Sequence, residues 1–434
     1  LTGEFVEQDI IPAHAADYSP DELSAIGKLA RALLLSQLRK IQHGRLHLID
    51  LGRHDTFGAV TASGPFDVTI RVRDPRFYVD AVFAGTTGAG EAYMRGYWHC
   101  DNLTALVRLM VVNRDCMNDV DSGWSRLSEP LFKMAHFLNR NTSRGSRRNI
   151  AQHYDLGNEF FGLFLDETMA YSCGIFASPA ATLYDASIAK FDAVCAKLAL
   201  RPGMRVLEIG TGWGGLAIHA ARHYGCHVTT TTISREQYQL ACEKVAGLGL
   251  AGNVTVLLED YRDLKGQFDA LMSIEMVEAV GHQYLDTYFR QCSRLLCPNG
   301  AMLLQSITIR DQFYKAALKS VDFIKRFIFP GSFIPSVQAL LDSVSRCTDL
   351  KLFHMEDIGP HYARTLKLWR ERLMARQAEV RAQGFPESFL RMWEYYLCYC
   401  EGGFEERQLG DVQMLLTKPH SRRASLAGVH APSP

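Results

Sequence analysis

The chain of 434 residues is 47% hydrophobic and 22% charged, with 47 basic side chains against 47 acidic ones. That balance fits a globular protein of two or three domains and offers no overall charge to attract nucleic acid. No apolar run reaches the roughly 18–20 residues of a membrane span. The first residues, LTGEFVEQDI, lack a signal-peptide pattern, and the eleven cysteines form no zinc-spaced pairs, which predicts reduced thiols in a cytoplasm and no metal site.

Residues 21–38 place Leu23, Ile26, Leu29, Ala30, Leu33 and Leu34 at helical spacing, with Asp21 or Ser19 as the cap. Such a helix packs on its own domain or lies on a membrane surface. The stretches RLHLIDL (45–51) and FDVTIRVR (66–73) alternate apolar and polar residues, as half-buried strands do, and predict a small α+β N-terminal domain. A further amphipathic helix starts at Asp101 or Asn102. The polar, basic residues 139–148 predict a linker. His153, Tyr154, Asp155, Gly157 and Asn158 read as a lid segment, followed by a helix over 183–198.

The central stretch is VLEIGTGWGG (206–215), read as buried strand, tight turn and helix. Glycine allows the turn and lets a ligand approach the backbone. His227 to Ile233 is β-branched and predicts a strand. Ser234, with Gln237 three residues on, fits a capping box. Two more strands follow, at 254–258 and 268–274, and the second ends at SIEMVEAVG with Glu275 and Glu278 just beyond it. A helix (284–296), the turn CPNG and the strand AMLLQSITI come next. Alternating β and α units predict parallel strands with a ligand beyond their carboxyl ends. The glycine loop, Ser234, Gln237, Asp260, Tyr261 and Glu278 all fall there. No acidic residue follows the glycines at the distance a nicotinamide ribose requires, which disfavours a dehydrogenase; Gln237 can serve a ribose diol instead.

VLEIGTGWGG, TISREQ, EDYRDL and SIEMVEAVG, in this order, resemble the class I S-adenosylmethionine methyltransferases. More narrowly, they resemble the cyclopropane-fatty-acyl-phospholipid synthases and their mycolic-acid relatives. HYDLGNEFFGLFLD, AYSC, FIFPGSFIPS, DIGPHYARTL and MWEYYLCYCEGGFEER extend the match from about Gly90 to Leu416. The resemblance implies an α/β fold: a Rossmann-like, mixed seven-stranded sheet with helices on both faces, beside the smaller α+β N-terminal domain. The expected organisation is a lipid-binding or interaction domain over 1–138, a linker over 139–150 and a catalytic domain over 151–417 with a lipid-binding insertion around 309–361. The polar tail 418–434 is expected to be disordered.

The implied reaction moves a methyl group from S-adenosylmethionine to a cis double bond in a phospholipid acyl chain. A carbocation forms, and loss of a proton to bound bicarbonate closes a cyclopropane ring. By motif, Cys173, Glu278, Ile307 and Tyr362 match the anion site. The bicarbonate hydroxyl gives Glu278 a proton, so that two anions do not repel. Gln305 stands where many members carry histidine. It donates a hydrogen bond without a charge, and ring formation remains the expected output, with plain acyl-chain methylation or a small-molecule methyltransferase as alternatives. Cys400 matches a candidate active-site cysteine of the family, against the plainer reading of a buried thiol. Tyr171, Ser172, Glu208, Gly210, Thr211, Gly212, Trp213, Gly214, Thr232, Ile233, Ser234, Gln237, Asp260 and Tyr261 are expected to hold the cofactor. Glu208 would meet the methionine amine, Gln237 the ribose, and Asp260 or Tyr261 the adenine. The resemblance also implies a homodimer bound peripherally to the inner face of the cell membrane, with no nucleic-acid partner.

Overall fold

The computed structural model describes residues 23–50, 52–62, 65–117, 156–424 and 426. They form two compact units that interleave in sequence. The first draws on described residues within Leu1–Leu138, Lys319–Ile328 and Arg370–Gln408; the second on those within Asn139–Leu318, Phe329–Trp369 and Leu409–Pro434. Residues 370–408, expected within the catalytic stretch, thus fold with the first unit. The predicted linker and His153, Tyr154 and Asp155 lie outside the described residues.

In the first unit, β1 (Gly44–Asp50), β2 (Arg53–Ala59), β3 (Asp67–Val72) and β4 (Trp98–Cys100) form one sheet in the order β2-β1-β3-β4. β1 alternates buried and half-buried residues, as its pattern predicts. The first helix runs Ala25–Leu38 and is capped by Ser24, whose hydroxyl accepts from the Gly27 N–H at 3.0 Å. Its buried face is Gly27, Ala30, Leu35 and Leu38, while Ile26 and Leu29 of the expected apolar face are 60% and 53% exposed. The helix Leu103–Val112 starts from an Asn102 cap, as predicted. The helix Glu387–Glu405 completes this unit and buries charge with its partners supplied. Arg391 donates to the carbonyls of Tyr93 (2.6 Å) and Trp98 (3.0 Å), and Glu401 accepts from Arg370 (3.0 Å) and Thr104 (3.2 Å).

The second unit is built on seven strands: β5 (Arg205–Ile209), β6 (His227–Thr231), β7 (Val254–Leu257), β8 (Phe268–Ile274), β9 (Leu296–Ile309), β10 (Lys351–Asp357) and β11 (Leu409–Thr417). Their order is β10-β11-β9-β8-β5-β6-β7. β5 to β9 pair in parallel, whereas β11 runs antiparallel to both β9 and β10, so the sheet is mixed. Buried runs such as Val206–Ile209 and Ala270–Ser273 suit strands covered on both faces. One face packs the helices Leu183–Leu198 and Gly215–Tyr224 over Val206, Val228, Ala270 and Leu303; the other packs Leu285–Leu295 and Val337–Cys347 over Leu207, Leu271, Met302 and Leu304. The first of these helices opens with a full capping box, Thr182 with Asp185. The CPNG turn sits within β9 as a slip in its register with β8 rather than ahead of it. In the described part of the tail, Lys418 pairs with Asp349 at 2.6 Å, and Arg423 donates to the Lys197 carbonyl at 2.7 Å.

Candidate active site

The glycine loop leaves β5 at Gly210, whose φ of +100° excludes most side chains. This turn lets the N–H groups of Gly210 and Thr211 both donate to the Thr231 carbonyl at 3.0 Å. A Cβ at Gly210 would stand 3.1 Å from Met276 Cγ, so the loop abuts the segment that follows β8. A Cβ at Gly212 (φ +52°) would meet nothing within 4 Å, which marks the open side of the loop. Gly214 caps the helix Gly215–Tyr224. At the end of β6, the Ser234 hydroxyl accepts from the Gln237 N–H at 3.3 Å. The reciprocal arm of the predicted capping box runs through Thr232 instead: its hydroxyl accepts from the Ser234 N–H (3.1 Å) and donates to Gln237 Oε1 (2.8 Å). Ile233 lies inside this turn. Beyond β7, Asp260 is 2% exposed and held by Arg262 through Nε (2.8 Å) and Nη2 (2.7 Å), while Tyr261 meets the Tyr288 ring edge-on at 5.5 Å. Glu208, 3% exposed, accepts from the Thr230 hydroxyl at 2.5 Å; burial pushes its carboxyl up to about 8.

An aromatic run extends from this loop. Trp213 donates to Asn158 Oδ1 at 2.5 Å and packs on Phe161 with ring centroids 5.0 Å apart. Phe161 meets Tyr171 at 5.4 Å, Tyr171 meets Trp369 at 5.2 Å, and Trp369 meets Tyr362 at 6.1 Å, nearly perpendicular. Next to Tyr171, Ser172 accepts from the buried Lys190 ammonium at 2.6 Å.

The run ends at a group of carboxylates. Glu275 follows β8 with φ +48°, a conformation that costs a residue with a side chain about 1–2 kcal/mol. Its Oε1 accepts from the Cys173 N–H and from Gln305 Nε2, both at 2.8 Å, and its Oε2 accepts from the Tyr362 hydroxyl at 2.5 Å. Glu278 Oε1 accepts from the Ser306 hydroxyl (2.9 Å) and the Ile307 N–H (2.6 Å). Glu278 is partly exposed as a residue, yet its Oε2 is sealed from solvent and has no hydrogen-bond partner. Asp411, opposite Ile307 on β11, is fully buried and receives Gln305 Nε2 at 3.1 Å. Burial, then the Glu275 charge, pushes Glu278 up to about 8 and Asp411 well above the carboxylate range. Burial, with Asp411 and Glu275 beside it, likewise keeps the Cys173 thiol protonated.

The amide of Gln305 is oriented from a distance. Lys197, an ammonium that only donates, contacts Gln413 Oε1 at 2.6 Å. Gln413 Nε2 must then face Gln305 Oε1, at 2.9 Å, which turns Gln305 Nε2 toward Glu275 and Asp411.

The structure therefore brings Cys173, Glu278, Gln305, Ile307 and Tyr362 together. Cys400 lies on the helix Glu387–Glu405 of the first unit, where burial raises its thiol. Glu275, Asp411, Gln413, Lys190 and Lys197 were not singled out from sequence as site residues. The available signals were two carboxylates three residues apart in SIEMVE and two polar residues on one face of the apolar strand around VQMLL. The donors expected to hold bicarbonate are engaged by the chain itself: those of Cys173, Gln305 and Tyr362 by Glu275, and that of Ile307 by Glu278. As arranged, these residues do not fit the ion.

Comparison with known proteins agrees with this architecture. A model of the family described as mycolic acid cyclopropane synthetase matches residues 141–414. Tuberculostearic acid methyltransferase UfaA1 of Mycobacterium tuberculosis is 40% identical over 341 residues, covering 77% of this chain and 79% of that protein. The cyclopropane-fatty-acyl-phospholipid synthase of Escherichia coli is 37% identical over 362 residues, covering 83% and 90%. The crystal structure of mycolic acid cyclopropane synthase CmaA1 with SAH and CTAB superposes with a TM-score of 0.59 at 32% identity, over 63% of this chain and 98% of that one.

Proposed function

Because the chain belongs to the mycolic acid cyclopropane synthetase family of S-adenosylmethionine-dependent methyltransferases, we propose that it methylates the cis double bond of an unsaturated phospholipid acyl chain and closes a cyclopropane ring there. The alkene π electrons take the methyl group from the sulfonium, and the carbon–sulfur pair stays on S-adenosylhomocysteine. The other alkene carbon becomes a cation. When the added methyl loses a proton, its C–H electron pair forms the third bond of the ring.

One observation carries this reading: the aromatic run from Trp213 to Tyr362 joins the glycine loop to a group of carboxylates. Ring faces stabilise a cation, and carboxyls can take up its proton. A thiolate would trap the cation, and Cys173 is held as the thiol. For the cosubstrate, Glu208 takes the methionine amine, Gln237 the ribose, and Asp260 or Tyr261 the adenine. Residues 210–214, Thr232, Ile233 and Ser234 frame it, with Tyr171, Ser172 and Trp213 as walls. Glu278 and Tyr362 border the reacting carbons. Bicarbonate, the base that the resemblance implies, finds its donors already engaged. The 40% identity to a tuberculostearic acid methyltransferase favours a second reading, methylation without ring closure.

In this proposal, residues 1–138 face the lipid, and a homodimer sits peripherally on the inner leaflet. The exposed Ile26 and Leu29 support that contact. Among the described residues, no helix is long and apolar enough to cross a membrane. The test uses methyl-labelled S-adenosylmethionine with vesicles of dioleoyl or dipalmitoyl phosphatidylglycerol. Label enters the dioleoyl lipid alone; equal labelling of both, or of neither, contradicts the proposal.

A further inference from the structure

Bicarbonate recognition needs several N–H and O–H donors converging on one point. Here three such donors, from Cys173, Gln305 and Tyr362, converge on the carboxylate of Glu275. We infer that Glu275 is the resident base of this enzyme: a side-chain carboxylate built into the anion site, doing there what a bound ion would otherwise do. The inference rests on the reaction proposed above.

Geometry supports this assignment in three ways. First, Glu275 adjoins both stretches proposed to hold the cosubstrate. Its Oε1 is held by Cys173, directly after Tyr171 and Ser172, and its chain neighbour Met276 abuts Gly210 of the glycine loop. Second, its lone pairs are unequally used. Oε1 receives two N–H donors and Oε2 receives the Tyr362 hydroxyl, with Asp411 sharing a further side-chain hydrogen bond with Glu275, so of the two oxygens Oε2 is the one with fewer N–H and O–H donors fixed on it. Third, the backbone is held at φ +48° to place this side chain, an arrangement retained against its conformational cost. The surroundings agree: burial and the neighbouring Glu275 push Glu278 and Asp411 toward their neutral forms. In the proposed step, Oε2 accepts the proton from the added methyl group while that C–H pair closes the ring. After the product leaves, the proton passes to water.

The test compares wild type, Glu275→Gln and Glu275→Gly on dioleoyl phosphatidylglycerol vesicles, in carbon-dioxide-free buffer with and without added bicarbonate. Binding of S-adenosylhomocysteine, read by its thermal shift, reports folding of each variant. Wild type forms the ring equally well in both buffers. Glu275→Gln, which cannot accept the proton, loses about 100-fold in ring formation at either bicarbonate level. Glu275→Gly frees the donors: it is inactive without bicarbonate, regains activity with it, and binds carbon-13-labelled bicarbonate by NMR where wild type does not. A wild type that stops on bicarbonate removal and recovers on its return overturns the assignment while leaving the proposed reaction standing. So does a Glu275→Gln variant as active as wild type. A wild type that labels no lipid in either buffer overturns the reaction itself, and the base with it.

Discussion

Glu278 Oε2 is a buried carboxyl oxygen with no partner, three residues from Glu275. Held near its neutral form, it suits a role in handing protons on from the cluster. Glu278→Gln keeps an oxygen to accept from Ser306 and Ile307 but has no acid proton to give. It should bind S-adenosylhomocysteine as wild type does, by calorimetry, while turnover slows about 100-fold; unchanged turnover contradicts a chemical role for Glu278. That Cys173, Glu278, Gln305, Ile307 and Tyr362 lie together was expected from the sequence, because each sits in a contiguous motif that resembles the family's. The positive φ of Glu275 was not legible, since it depends on how β8 ends against β9. Nor was the relay from Lys197 through Gln413 to Gln305, which joins positions 197 and 413 only once β9 and β11 pair.

At the scale of elements, the glycine loop allows a clean separation of folding from binding. A Cβ at Gly212 meets open space, so Gly212→Ala should cost only the strain of its left-handed backbone, about 1 kcal/mol in denaturant titration. The same methyl group would intrude on the open side of the loop and weaken S-adenosylhomocysteine binding at least tenfold, by about 1.4 kcal/mol. Equal affinity would place the cosubstrate elsewhere. The helix Ala25–Leu38 offers a second test. Its apolar residues cover more than one stripe, so periodicity did not decide which face is buried, and the structure leaves Ile26 and Leu29 outward. The double variant Ile26→Glu, Leu29→Glu should leave thermal stability unchanged and reduce sedimentation with anionic vesicles several-fold. Undiminished sedimentation assigns membrane contact to another surface. The strands with long apolar runs, β5, β8 and β9, were legible in sequence. β2, mostly exposed and polar, and β4, three residues long, carried too little pattern to be seen.

At the scale of the whole molecule, buried acids make stability depend on pH. Glu208 is pushed from its ordinary value near 4.5 to about 8 by burial. Between those limits the folded chain keeps a proton that the unfolded chain releases. Its stabilising contribution is therefore complete below about pH 4.5 and is lost as pH rises through 8. Glu208→Gln cannot ionise and should lose less stability between pH 5 and 8 than wild type, by up to about 3 kcal/mol in denaturant titrations. Parallel losses in the two proteins contradict a neutral Glu208. The family and the mixed seven-stranded sheet make the chain an S-adenosylmethionine-dependent methyltransferase, and the proposal to be tested is delivery of the activated methyl carbon to a lipid double bond. The most direct measurement is proton NMR with mass analysis of acyl chains released from dioleoyl phosphatidylglycerol after incubation with the enzyme and S-adenosylmethionine. The account predicts chains heavier by one methylene unit, without olefinic protons and with the upfield resonances of a cyclopropane ring. Acyl chains recovered unchanged, with the methyl label in water-soluble products, would contradict it.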